Sequence, residues 1–336
     1  MAGTAEGEGP AGSAGIFVVG SLNADLVVPV ARHPRSGETV LGGDLAVHSG
    51  GKGANQAVAA ARLGGSVAML GRVGDDAHGA LVLGSLAGAG VATGQVRVTP
   101  GVSTGVALIP VRPDGENTIV VSPGANARVS EEDVDAAADA IVASRIVVAQ
   151  LELPLPAVRR AARLAREAGG WFLLNAAPAT ALATALATGL ATGLATGLDD
   201  GLLQDVDLLV VNEHEAGVLL GHRATGVMGV AEAQRAAKAL RARGPRAVVV
   251  TLGAAGAVVD GSGEGDGRPT HIPAVRGAVV DTTGAGDAFV GGLAVELAAG
   301  AGLGQAAELA TRAGSAAVRR PGAQDSFPTR EELADR

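Results

Sequence analysis

The chain has 336 residues, enough for one large α/β domain with an embellishment or for two domains, and enough to bury a substantial core. A net charge of −8 disfavours nucleic acid as a partner, and the absence of cysteine excludes disulfides and thiolate metal sites. Apolar residues make up 47%, yet the aromatics are four Phe and one Trp, so the core must be aliphatic, and no apolar run reaches the roughly 18 residues of a membrane span.

In chain order, residues 1–15 are rich in Gly, Ala and Glu and lack the basic and apolar regions of a signal peptide. They read as a disordered tail on a cytoplasmic protein. Within the tail, Gly7 to Gly12 matches the dinucleotide fingerprint, but it follows no strand and contains Pro10, so it is coincidental. Ile16 to Gly20 reads as a strand, with Asn23 and Asp25 presenting an amide and a carboxylate suited to vicinal hydroxyls just beyond it. The segment Asp25 to Val47 has β-branched residues and two prolines and looks like short antiparallel strands without helices. Ser49-Gly50-Gly51-Lys52-Gly53-Ala54-Asn55 then opens a helix over 53–63, its glycines letting backbone approach a small ligand. Lys52 is followed by Gly53, so this is not a G-x-x-x-x-G-K-[ST] phosphate loop.

Val67 to Leu70 is a strand and 77–87 a helix, and Ser103 to Val121 repeats the short-strand pattern. The two helix-free segments, about 24–48 and 103–121, predict a small sheet standing off the main body as a lid. Buried strands follow at 146–149, 171–174, 208–211 and 247–250, with helices around 131–143, 156–168, 213–220 and 230–243. This alternation predicts a mostly parallel sheet covered on both faces. Residues 179–198 are five tandem Ala-Thr-(Ala or Gly)-Leu tetrapeptides, whose period of four drifts against 3.6 and whose glycines weaken a helix. They read as a low-complexity insert without a catalytic role.

Polar residues recur directly after these strands: Glu152, then Asn212 and Glu215, then Thr251 and Gly253, and Asp281 after Val280. In an open parallel sheet, ligands bind outside the carboxyl ends of the strands, so four such ends suggest one rim. The run Val280-Asp281-Thr282-Thr283-Gly284-Ala285-Gly286-Asp287 aims backbone N–H groups and a positive helix end at one point, which suits a phosphoryl group. Asp287 stands where an acceptor hydroxyl would lose its proton. Taken alone, an Asp beside Gly at a helix start is more often a cap. The six histidines, His33, His48, His78, His214, His222 and His271, show no metal-ligand spacing.

Together these residues resemble the ribokinase (PfkB-type) carbohydrate kinase family from about residue 16 to 328. The resemblance is carried by Gly20 to Asp25, Gly50 to Ala60, Ser103 to Leu108, Gln150-Leu151-Glu152 and Asn212 to Glu215, followed by Thr251-Leu252-Gly253, Asp281 to Asp287, and Gly322-Ala323-Gln324 with Ser326. Departures are the tetrapeptide insert and Asn175-Ala176-Ala177-Pro178, where such kinases often carry an extra Pro.

The resemblance implies a three-layer αβα sandwich with a mostly parallel central sheet and a small antiparallel β lid, spanning 16–330. It implies ATP-dependent phosphorylation of D-ribose at O5, with other sugars or nucleosides (fructose, adenosine) or a non-catalytic sugar sensor as alternatives. Asn23, Ala24, Asp25, Gly51, Lys52, Gly53, Ala54, Asn55 and Glu152 would hold the sugar, and Asp287 would act as base. Gly284, Ala285 and Gly286 would form an anion hole, with Gly286 also touching nucleotide. Asn212, Thr251, Leu252, Gly253, Ala254, Ala255 and Gly256 would line the ATP site, with Glu215 helping to order Mg²⁺ through its waters. A K⁺ beside the loop would take Asp281, Thr283, Ala317, Arg320, Gly322 and Ser326, several through backbone carbonyls. The lid pattern further predicts a homodimer joined through the lids.

Overall fold

The computed structural model describes residues 15–178, 198, 200–221, 228–261 and 267–334. The 1–14 part of the tail, the tetrapeptide insert apart from Leu198, and His222 lie outside the described residues.

Thirteen strands are described. Seven of them, β1 (Ile16–Val19), β4 (Val67–Gly74), β5 (Ala92–Thr99), β8 (Ile146–Gln150), β9 (Trp171–Asn175), β10 (Leu208–Asn212) and β11 (Ala247–Thr251), run parallel in the order β11-β10-β9-β8-β1-β4-β5. Two further strands, β12 (Ala257–Asp260) and β13 (Thr270–Ile272), extend the β11 edge antiparallel.

The parallel strands are continuous apolar runs because both faces are covered. Alternate residues feed two separate cores. Ile16, Val18, Leu208, Val210 and Val249 pack with the helices Lys52–Arg62, Ala77–Gly88, Ala285–Ala298 and Leu303–Ala317. Phe17, Val19, Leu209, Val211 and Val250 pack with the helices Leu155–Glu167, Glu213–Leu219 and Val230–Arg241. The result is a helix–sheet–helix sandwich. Within Leu155–Glu167, the buried residues Leu155, Val158, Ala161, Ala162 and Ala165 recur at helical spacing, so one stripe faces the sheet.

The lid is a four-stranded sheet of order β3-β2-β6-β7, with β2 (Asn23–Pro29), β3 (Ala46–Gly50), β6 (Gly105–Val111) and β7 (Val120–Ser122). Its outer ladders are antiparallel and its central β2/β6 ladder runs parallel.

Three sequence expectations are revised. The helix expected over 131–143 is two short helices, Glu131–Ala136 and Ala138–Val142, joined at Ala137. The first starts at a capping box between Ser130 and Asp133. The strands β5, β12 and β13 and the helix Leu303–Ala317 extend the fold beyond the elements read from sequence. The approach to Asp281 is not a strand: Val279 and Val280 are 63% and 62% exposed, and the N–H groups of Val280 and Asp281 both donate to the Val318 carbonyl. Among the described residues, no helix is long and apolar enough to cross a membrane.

Candidate active site

The polar residues gather at the carboxyl ends of β8, β10 and β11, with Asn175 from β9, against the N-termini of the helices Lys52–Arg62 and Ala285–Ala298. Three of the four expected strand ends supply the rim, and Asp281 reaches it from an unpaired segment instead.

Asp287 lies in the first turn of Ala285–Ala298 and is 7% exposed. Its carboxylate does not cap its own helix. Oδ2 accepts from Asn55 Nδ2 at 3.0 Å and Oδ1 from Gln56 Nε2 at 3.0 Å, both on the facing helix. The turn before it depends on Gly284, which has φ 75°, and a Cβ there would lie 2.8 Å from Phe327 Cε1. Of the expected anion-hole amides, that of Ala285 already donates to the Thr282 carbonyl at 3.3 Å. Gly286 faces open space, with nothing within 4 Å of a Cβ built on it. An uncapped helix N-terminus beside a held carboxylate therefore opens outward at this point.

The facing helix is fixed with equal care. Gly53 lies so close to Gly20 that a Cβ would come within 2.5 Å of its backbone. The Ala54 N–H donates to Ser21 O at 2.9 Å. The Ser21 hydroxyl donates to Glu152 Oε2 at 2.5 Å and accepts from the Gly53 N–H at 3.2 Å, while the Lys52 N–H donates to the same Glu152 oxygen at 3.2 Å. Glu152 thus anchors the helix start.

The Lys52 ammonium is the cation among four carboxylates. Burial works against its charge, yet Asp287, Glu152, Glu215 and Asp25 together hold its pKa above the ordinary lysine value. Asp25 has the opposite history: burial, then Glu152 and Asp287, push its carboxyl up to about 7, and Lys52 only partly offsets them.

Asp25 sits on β2 at the foot of the lid, between His48 on β3 and Ala107 on β6. Two residues earlier, Asn23 Oδ1 accepts from Asn126 Nδ2 at 2.7 Å, and Asn126 also bonds both backbone groups of Leu22. A cleft of about 930 Å³ opens between the lid and the C-terminal loop, lined by Asp25, His48, Ile109, Asp281, Thr283 and Gln324 among others.

On the other side of the rim, Asn212 caps the Glu213–Leu219 helix. Its Oδ1 accepts from the Glu215 N–H at 2.8 Å, and Glu215 Oε2 accepts from the Asn212 N–H at 2.8 Å. Burial raises the Glu215 carboxyl, against the Asn212 N–H and Lys52. Thr251 pairs with Asn212 across β10 and β11. The segment Leu252 to Gly256 forms a tight turn, with exposed Gly253, Ala254 and Ala255 at its tip and the Leu252 N–H on Gly256 O at 2.7 Å.

Of the expected ion residues, Asp281, Thr283 and Gly322 come together. Asp281 accepts from the Thr283 N–H at 2.9 Å and the Gly322 N–H at 2.8 Å. Burial alone would raise its carboxyl, but the Thr283 side chain and these two N–H groups hold it below the usual carboxylate range. The Ser326 hydroxyl donates to Ala323 O at 2.7 Å. The Ala317 carbonyl already accepts from the Arg320 N–H at 3.3 Å, and the Arg320 guanidinium turns away to Glu332.

Sequence reasoning left four site residues without a role: Gln56, Gln150, Asn175 and Gln324. Gln56 Oε1 accepts from Gln150 Nε2 at 2.7 Å, its Nε2 also donates to Asn175 Oδ1 at 3.0 Å, and Gln324 Nε2 donates to Asn55 Oδ1 at 3.0 Å. Gln56, Gln150 and Gln324 lay inside the runs that carried the family resemblance, which was the available signal.

Compared with known proteins, residues 13–330 match the family described as pfkB family carbohydrate kinase. The chain is 36% identical over 320 residues to ribokinase of Haemophilus influenzae, covering 95% of this chain and 97% of that one. It is 37% identical over 325 residues to ribokinase of Schizosaccharomyces pombe, covering 95% and 96%. Among solved structures, that of Arabidopsis thaliana ribokinase complexed with ribose and ATP superposes with a TM-score of 0.81 at 31% identity, covering 96% and 98%.

Proposed function

The chain belongs to the pfkB family of carbohydrate kinases and is an enzyme of the ribokinase type; from that premise we propose that it transfers the γ-phosphoryl group of ATP to O5 of D-ribose. The observation that carries this reading is Asp287, held by Asn55 and Gln56 beside the open helix start at Gly286.

Asn23, Asp25, Lys52, Asn55 and Glu152 orient the pentose, with Gly51, Gly53 and Ala54 giving the backbone its close approach. The O5 oxygen attacks the γ-phosphorus as the bond to the bridging oxygen of ADP breaks. The proton of O5 passes to Asp287, giving ribose 5-phosphate and ADP. A carboxylate is a far weaker base than an alkoxide, so Asp287 works by positioning and late proton uptake in a largely dissociative transfer. The amides of the Gly284–Gly286 turn, with the helix dipole, favour the charge on the transferring group. Lys52 screens the surrounding carboxylates from the incoming phosphates. Asn212 and Thr251 to Gly256 border the nucleotide.

Two ions belong to the proposal. Buried Glu215, facing Lys52, fits a site for Mg²⁺ held through water; when bound, Mg²⁺ neutralises triphosphate charge. Asp281, kept ionised by its N–H donors, fits a K⁺ site completed by carbonyls around Thr283, Ala317, Arg320, Gly322 and Ser326; K⁺ there would fix the loop's shape. We read 16–330 as one cytoplasmic kinase domain with lids at about 24–48 and 103–121, and dimerising through them.

The deciding experiment is a coupled assay for ADP release with ribose, fructose and adenosine in parallel. The proposal requires ribose to give the highest kcat/KM. Preference for fructose or adenosine would reassign the substrate, and sugar binding without ADP release would make the protein a sensor.

A further inference from the structure

Two chains of buried amides converge on Asp287, and their polarity is set from the carboxylate outward. An ionised carboxylate only accepts, so Asn55 and Gln56 must both present NH₂ groups to it. Asn55 then turns its carbonyl to Gln324, which must answer with its own NH₂. The Gln324 carbonyl in turn faces the Ser85 hydroxyl, which donates at 2.6 Å. On the other side, the Gln56 carbonyl takes the NH₂ of Gln150. Amide orientation is ordinarily a matter of assignment, but here each choice is forced by its neighbour. Every dipole in the Ser85–Gln324–Asn55 chain points its positive end toward Asp287, and bonds in such chains polarise one another.

Gln324 occupies a distinctive place in this arrangement. It lies on the short turn Gln324–Ser326, two residues beyond Gly322, whose N–H is bound by Asp281. It bridges three separate parts of the fold: this loop, the Ala77–Gly88 helix through Ser85, and the Lys52–Arg62 helix through Asn55.

We infer that Gln324 is a positioning residue for phosphoryl transfer, orienting the Asp287 carboxylate through Asn55. The inference rests on the reading of Asp287 as the base. The isosteric substitution Gln324→Glu tests polarity alone: it places an acceptor against the Asn55 carbonyl, so the Asn55 amide turns round and points its oxygen at Asp287. Gln324→Ala removes the partner and the packing but forces no reversal.

The experiment measures kcat and KM for ribose against pH in Gln324→Glu, Gln324→Ala, Ser85→Ala and Asp287→Ala, with ribose binding followed by calorimetry in the absence of ATP. The expected result is a kcat about tenfold lower in Gln324→Glu, within the range of general-base effects. Its acid limb moves to higher pH by about one unit as donors to the ionised form are lost. Ribose affinity falls less than kcat, because Asn23, Asp25 and Glu152 keep their places while only the Asn55 amide is reversed. Gln324→Ala is impaired less than Gln324→Glu; the reverse ranking, expected of a residue that merely packs, overturns the inference. Ser85→Ala, a mild change on a helix surface, gives a smaller fall in kcat at unchanged KM and carries the test if the Gln324 variants fail to fold. Parental kcat and acid limb in the folded Gln324→Glu variant, or in Ser85→Ala where it alone is tested, while Asp287→Ala is inactive, overturn the role of Gln324 alone. Parental kcat in Asp287→Ala overturns the base reading and this inference with it.

Discussion

Asp287 receives two amide hydrogen bonds from the facing helix, where a helix cap would have turned its carboxylate back on its own backbone. On the proposed mechanism, replacing it with Ala removes the proton acceptor from the transition state while leaving the proposed sugar ligands Asn23, Asp25 and Glu152 in place. We predict a fall in kcat of about 10²- to 10⁴-fold with ribose affinity changed only a few-fold, read by steady-state kinetics beside calorimetry. Equal turnover in mutant and parent would remove Asp287 as base. Asp25 carries a second prediction at this scale. Its carboxyl is raised from 3.8 to about 7, so the folded protein keeps a proton that the unfolded chain gives up. Its contribution to stability is therefore full below the unfolded value and declines as pH rises through about 7. Asp25→Asn, which cannot ionise, should melt higher than the parent at alkaline pH, with the gap closing toward the ordinary carboxylate range. Ribose affinity of the parent should rise over the same window as the acceptor form appears, and Asp25→Asn should lose that pH dependence. A flat affinity profile in the parent would show that Asp25 does not accept from the sugar.

At the scale of elements, the turn into Ala285–Ala298 sets the proposed base and the proposed anion cradle together. Gly284→Ala meets both a left-handed φ of 75° and contact with Phe327 and Ala323. It should destabilise the protein by about 1–2 kcal/mol from the backbone conformation alone. It should also depress kcat more than KM, as measured by thermal melts alongside kinetics. A variant with parental stability and turnover would show that the turn tolerates a side chain. The adjoining loop predicts a cation response: replacing Na⁺ by K⁺ should raise activity, and Asp281→Asn should flatten that titration. These elements were legible because glycines beside polar residues mark where backbone must approach something closely. The parallel strands were legible for a different reason, as IFVV, LLVV and AVVV are runs that only burial on both faces explains. The strand β5, ATGQVRVT, lies at the sheet edge with mixed exposure, so its pattern resembles a loop. The Leu303–Ala317 helix buries a stripe made almost wholly of alanines, Ala306, Ala307, Ala310, Ala313 and Ala317, which does not stand out in an alanine-rich chain. Val279 and Val280 misled in the opposite sense: an apolar pair suggested a buried strand, but they line the open cleft. The amides Gln56, Gln150, Asn175 and Gln324 are distant in sequence, and their common purpose exists only once four elements have packed.

For the molecule as a whole, the lid poses the remaining question of what covers its outer surface. Register places Val47, Leu26, Leu108 and Val120 in one row across all four lid strands. Of these, Val47, Leu108 and Val120 are 39%, 47% and 59% exposed, and Leu41, Leu45 and Ile119 add further exposed apolar surface nearby. A contiguous apolar row across a small sheet is the kind of surface that a second copy covers. Because the same sheet carries Asn23 and Asp25, its packing is coupled mechanically to the proposed sugar site. The parent should therefore sediment as a dimer at micromolar concentration. Leu108→Glu should convert it to a monomer whose KM for ribose rises while kcat at saturation changes less. Sedimentation of the parent as a monomer would exclude the lid dimer. A Leu108→Glu protein that stays dimeric would place the contact on another face and leave the lid to close over substrate unaided.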